Sequence, residues 1–153
     1  MFGQNINFGL LAAAAGIDFL VQAGGASGGN GGHNYSGCSG GGGAGGLRVS
    51  HGDDSGGGCD SQVSIEPTAT TYTITVGGGG SQPSGQNAHG NNGTASSIAA
   101  SGLTTISATG GGYGCGGGNV GGGSGGCGGG GYDGSTPDGT ACEGFDGGSG
   151  GSQ

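Results

Sequence analysis

Five cysteines, Cys38, Cys59, Cys115, Cys127 and Cys142, are the residues of this chain best equipped for covalent chemistry. None forms a C-x-x-C pair, the spacing that lets two sulfurs share one zinc ion or one redox centre. The chemistry left to them is cross-linking, and all five are candidate disulfide cysteines. A disulfide adds most where the unfolded chain is very mobile and the apolar core small. An odd number leaves at least one thiol unpaired within a monomer, either free or bonded to another subunit, and the connectivity stays open.

The other polar groups make weaker constellations. His33, His51 and His89 lie in glycine-rich loops without any standard metal-ligand spacing, so solvated loop histidines are expected and no metal or cofactor is predicted. Asp53, Asp54, Asp60, Asp133, Asp138 and Asp146 sit among glycines, as aspartates do in calcium-binding turns. The segment Gly130-Gly131-Tyr132-Asp133-Gly134 places its aspartate too early, however, and no nonapeptide period recurs. The chain has no lysine to complete a phosphate-binding loop, and no nucleophile is paired with a positioned histidine, so no catalytic residue is assigned. Tyr35, Tyr113 and Tyr132 are different: a ring on a surface otherwise stripped of side chains can stack on a sugar or an apolar patch. These three are the candidate surface recognition residues.

What must position them is unusual. Glycine fills 51 of 153 positions, while Leu, Ile, Val and Phe together number 20, which puts a conventional hydrophobic core out of reach. Glycine loses more freedom on ordering than any other residue, so order must come from backbone hydrogen bonds, close glycine packing, disulfides or neighbouring subunits. Collagen is excluded by the consecutive glycines and the three prolines. Two possibilities remain for the tracts: flexible linkers, or packed polyproline-II-like strands. Nine acidic residues against the single Arg48 give a net charge of −8, which repels nucleic acid and anionic membranes. The apolar stretches are too short for a transmembrane span.

Along the chain, Phe2, Ile6 and Leu10 at four-residue spacing and the Ala12–Ala15 run, stopped by Gly16, predict a short N-terminal helix acting as an anchor or oligomerisation segment over 1–16. Strands are expected at Ile17–Ala23, Leu47–Ser50, Ser96–Ala100 and Leu103–Ala108. A hairpin is expected from Gln62–Ile65 and Thr70–Val76 around Pro67, with Tyr72, Ile74 and Val76 on one face. Glycine tracts separate these strands. The fold class is mainly β: a small β-sandwich or β-sheet body interleaved with glycine-rich polyproline-II-like loops. The expected divisions are the segment 1–16, a glycine-rich β domain at 17–131 and an acidic glycine-rich tail at 132–153.

The order of the pieces is recognisable. Asp18–Gly25 runs a hydrophobic strand into glycine, Gly41–Arg48 leads out of it, Thr71–Gly80 enters a second tract and Ser107–Gly112 a third. Over about residues 17 to 131 this resembles the glycine-rich domains of phage tail fibres and related virion surface proteins. That resemblance implies a non-enzymatic virion structural protein, a small fibre, spike or decoration subunit, located at the virion surface. Its partners would be further copies of itself, other virion proteins and a host surface glycan or protein. The alternatives are an extracellular cell-wall or matrix glycine-rich protein and a glycine-rich ice-binding protein.

Overall fold

The computed structural model describes residues 15–32, 39–117, 121–132 and 134–150. The predicted N-terminal helix falls on residues outside this set; among the described residues the one helical element is a 3₁₀ turn, Gly56–Gly58. The chain is mainly β. Its short β-branched segments form β1 (Leu20–Gln22), β2 (Leu47–Val49), β3 (Tyr72–Thr75), β4 (Ser96–Ala100) and β5 (Leu103–Ala108). β1 and β2 pair antiparallel with Val21 opposite Arg48, and a second antiparallel sheet runs in the order β3-β4-β5. The β4–β5 connection is a two-residue turn whose Gly102 takes φ +81°, a conformation costly for other residues.

The two sheets face each other as a small sandwich. Phe19, Val21, Ala23, Ile65 and Ala108 are buried between them, and Tyr72, Ile98, Leu103 and Ile106 pack around that cluster. Period-two alternation explains the choice: Phe19, Val21 and Ala23 point in, while Leu20 and Gln22 point out. The three-stranded sheet is ordered by its line of isoleucines, Ile74 opposite Ile98 and Ile98 opposite Ile106.

The expected 62–65/70–76 hairpin does not form. Ile65 instead bridges Ile17, with N···O distances of 2.8 and 2.9 Å, while β3 pairs with β4. Ile98 gives Ile74 an apolar cross-strand partner, and β4 already belongs to a tight hairpin; Gln62–Ile65 buries only Ile65 and leaves Val63 88% exposed. The expected apolar face is therefore split. Tyr72 reaches the core, but Ile74 and Val76 are 62% and 83% exposed, because β1 and β2 lie against β4 and β5 and not against β3.

Each sandwich strand is continuous with a glycine-containing tract, at its end for β1, β3 and β5 and at its start for β2 and β4, and there the hydrogen-bond period changes from two to three. Ala23, Ala26 and Gly29 donate to the carbonyls of Gly46, Gly43 and Gly40 at 3.0, 2.9 and 3.0 Å. Gly24, Ser27 and Asn30 donate to Thr94, Asn91 and Ala88 at 3.0, 3.0 and 2.8 Å. One tract thus donates to two neighbours in alternation, to each at every third residue, the repeat of a polyproline-II helix. Residues 109–115 lie at the centre. All seven of their carbonyls accept a backbone N–H, in order from Gly46, Gly126, Gly93, Gly43, Gly123, Gly90 and Gly40.

This lattice needs bare Cα atoms. A Cβ on Gly114 would lie 2.0 Å from the Gly40 carbonyl oxygen, and one on Gly93 would lie 1.9 Å from that of Gly24, so the α-hydrogens face carbonyls across the tracts. Gly41, by contrast, has nothing within 4 Å of its Cβ position. We expect Gly114→Ala to lower stability by about 3 kcal/mol or to prevent folding, as overpacking against backbone does, whereas Gly41→Ala leaves the melting temperature unchanged or raises it. Thermal denaturation of the two variants reads both.

Candidate functional site

The lone cation of the chain finds its partner in the sequence-distant tail. The Arg48 guanidinium, on β2, donates through Nε and Nη2 to Glu143 Oε1 at 3.1 and 2.6 Å. The other carboxylate oxygen accepts from the Thr109 backbone N–H at 2.5 Å, and the Glu143 carbonyl accepts from Leu47 N–H at 2.9 Å. The Glu143 side chain is 2% exposed and that of Arg48 30%. One buried carboxylate therefore fastens β2, the end of β5 and residues 140–144 at the junction of sandwich and bundle. Next to it Cys142 is bonded to Cys59 across 83 residues. Glu143 escaped sequence reasoning because nothing local marks it; the available signal was the single Arg48, which needs an acidic partner if its strand is half-buried.

A second polar cluster lies on the surface beside β1. Asp18 Oδ1 accepts from the hydroxyls of Ser64 at 2.5 Å and Ser50 at 3.4 Å, and His51 Nδ1 sits 3.3 Å from Asp18 Oδ2. The residue types are those of a catalytic triad, but both hydroxyls address the carboxylate and neither bonds the imidazole, so the arrangement pins an aspartate and activates no nucleophile. Chiefly the Ser64 hydrogen bond, against some desolvation and with help from His51 and Ser50, holds the Asp18 carboxyl below its ordinary value.

The predicted recognition tyrosines separate. Tyr35 lies outside the described residues, as do Cys38, His33 and Asp133. Tyr113 is half-buried on the central tract, its ring beside that of His89 with centroids 5.2 Å apart and planes tilted by 58°. The His89 ring accepts at Nδ1 from Gly116 N–H at 3.2 Å, and the Tyr113 backbone is tied through its N–H to Asn92 Oδ1 at 2.8 Å. Gly123 makes room for the Tyr113 ring, since a Cβ there would lie 2.4 Å from it. Tyr132 is half-buried in a different loop, where its backbone carbonyl takes a 3.4 Å contact from Ser135 N–H. Of the remaining cysteines, Cys115 is a buried thiol on the central tract and Cys127 a half-buried one.

Concavities flank the sandwich, and two of them are lined by described residues. The larger, of about 570 Å³, is an open groove with Ile65, Tyr72, Leu103 and Ile106 along its floor and Ser64, Thr68 and Thr105 among its polar lining. The smaller, of about 120 Å³, runs between β1 and the uncovered inner face of β3. Among the described residues no group of three or more His, Cys, Asp and Glu side chains converges as metal ligands, and no helix is long and apolar enough to cross a membrane.

Among the described residues the architecture is thus a period-three backbone lattice of glycine tracts capped by a β-sandwich. The chain belongs to the glycine-rich domain family, whose model matches residues 3–153. Comparison with the curated proteins and with the solved structures found no match.

Two outcomes follow from these contacts. Glu143→Ala strands Arg48 and the Thr109 N–H, and we expect it to lower stability by about 3 kcal/mol in chemical denaturation. Because the folded pKa of Asp18 is depressed, its contribution is present above the unfolded value, about 3.9, and is lost as pH falls through the folded one. Asp18→Asn should therefore flatten the acid limb of the stability–pH curve and lower the neutral-to-alkaline limb by a pH-independent offset, the two proteins converging in acid.

Proposed function

We propose that the chain is a non-enzymatic virion structural protein, a small fibre, spike or decoration subunit that displays a glycine-rich adhesive surface. The observation that carries this reading is the alternation of sandwich strand and packed glycine tract, the order by which the sequence resembles virion glycine-rich domains. Support also comes from the physical character of the body. Its polar backbone is bonded internally and its net charge is −8, so it suits display in water more than enclosure of a substrate. The Tyr113–His89 pair offers a rigid aromatic platform for a sugar ring or an apolar patch of a host surface protein. Many copies on one particle would add weak contacts by avidity, and self-association of the chain belongs to this proposal.

One observation favours a second reading. Polyproline-II-like tracts laid side by side are also what a glycine-rich ice-binding surface requires, and thermal hysteresis at micromolar protein would move the assignment there.

Immunogold labelling of the extracellular particle fraction tests the proposal. Gold on fibres, spikes or capsids is expected, and gold on cell wall or matrix alone would replace it with the cellular structural alternative. Given particle labelling, Tyr113→Ala should weaken adsorption to the host about tenfold, the scale of losing an aromatic hot spot, with the melting temperature of the purified protein as the check on folding.

A further inference from the structure

Residues 137–150 dock on a body whose core and central tract are built from other parts of the chain. The five residues of the buried apolar cluster lie between 19 and 108. The seven carbonyls of the central tract accept from donors between 40 and 126. The one large apolar side chain of the tail, Phe145, is 66% exposed, and within 137–150 only Pro137 and Glu143 are buried. Apolar burial therefore adds little to its docking. What holds it is polar and peripheral. Thr140 N–H donates to the Gly125 carbonyl at 2.8 Å, Gly128 and Gly131 donate to Phe145 and Gly148, and Glu143 meets Arg48, Thr109 and Leu47.

A covalent bond secures those contacts, and it lies where a solute can reach it. Cys142 is exposed and Cys59 half-buried, whereas the free thiol of Cys115 is buried in the central tract. The turn that carries Cys142 is also held against its own preference. Cys142 takes φ +60°, a left-handed conformation costly for a residue with a Cβ, and it persists only where the surroundings enforce it. The 3₁₀ turn Gly56–Gly58 packs directly on it: a Cβ on Gly57 would lie 2.9 Å from the Gly144 carbonyl oxygen and 3.2 Å from the Cys142 nitrogen. The bond closes a sequence separation of 83 residues, and in the chain-entropy account such a long closure is where a disulfide constrains most.

We propose that Cys59–Cys142 is a site of reversible thiol–disulfide exchange, a clasp whose opening by a dithiol reductant releases residues 137–150 while the sandwich and central tract stay folded. A thiolate of the dithiol attacks the exposed Cys142 sulfur, the bond between the two Sγ atoms breaks, and Cys59 leaves as a thiolate that takes up a proton. The second thiolate of the reductant then attacks its own sulfur in the mixed disulfide and expels the Cys142 thiolate, which is protonated in turn. Two electrons have passed to the protein, and the dithiol ends as a disulfide. On release Glu143 and Arg48 both return to water, so opening leaves neither charge buried without its partner. The chain thus has two forms, clasped in an oxidising medium and free-tailed where thiols are kept reduced. The clasp operates whatever the protein surface binds.

Amide hydrogen exchange on the full-length wild-type chain, with and without dithiothreitol in native buffer, tests the clasp. Reduction is expected to speed exchange at Thr140 and Gly150 in the tail, and at Leu47, Gly128 and Gly131 beneath it, about a hundredfold. Gly111 and Gly114, which donate to Gly24 and Ser27, and the paired amides of β4 and β5 keep their rates. Iodoacetamide, read by peptide mapping, should label Cys59 and Cys142 after reduction and spare Cys115. Three results overturn the proposal: a bond that dithiothreitol leaves intact, a tail that keeps its protection once the bond is open, or a loss of protection that reaches the central tract and β5. Cys59→Ser/Cys142→Ser isolates this bond from the other cysteines and is expected to show the reduced pattern with no reductant present. A fully protected tail in that variant, or an unfolded body, overturns the proposal equally.

Discussion

The close approach of backbones along the glycine tracts is the constraint on which everything else in this protein rests. With 20 large aliphatic and phenyl residues in 153, side-chain burial cannot order the chain; backbone donors and acceptors must do so. They can do so over many residues only where neighbouring tracts come near enough for every third N–H to reach a carbonyl on a different neighbour. A single Cβ on an inward α-carbon would close that distance. The glycine content thus follows from a packing requirement, and the central tract, buried almost throughout with Cys115 as its one fully buried side chain, is the clearest case.

A lattice of this kind has no side-chain code of its own to set register, since one glycine resembles the next. The sandwich supplies it. β1 and β2 fix the alignment of 23–30 with 40–46, β3 and β4 that of the second tract pair, and β5 delivers the chain to the centre. A core of five buried residues is small for a domain of this size but sufficient to align tracts. The Arg48–Glu143 pair and the Cys59–Cys142 bond then bring residues 137–150 against the bundle, where Gly128 and Gly131 donate to Phe145 and Gly148 at 3.0 and 2.9 Å. Specificity is concentrated at this one end, and the rest of the bundle propagates it.

Most of the strands were legible because β-branched residues alternate between glycine runs: Leu47–Val49, Ser96–Ala100 and Leu103–Ala108 lie where their pattern puts them. Partnering was less so. Thr70–Val76 reads as half of a hairpin with Gln62–Ile65, and only the line Ile74–Ile98–Ile106 shows why β4 wins. The period of three in the tracts leaves no trace in a sequence of near-identical residues, so linker and packed strand read alike until the hydrogen bonds are seen. Tyr113 reads from sequence as a ring among glycines, and the structure places it half-buried beside His89. Its companion His89 and the buried Glu143 are brought in by contacts 24 and 95 residues apart in sequence, which no local pattern encodes.

Amide hydrogen exchange across the glycine tracts, resolved residue by residue, bears most directly on the claim that backbone packing orders this protein. The slowest amides should be those of Gly111, Gly112, Gly114 and Cys115 on the central tract, exchanging no faster than the paired amides of β4 and β5. Rapid exchange at those glycines alongside a protected sandwich would contradict it, and would make the tracts flexible linkers hung on a small β core.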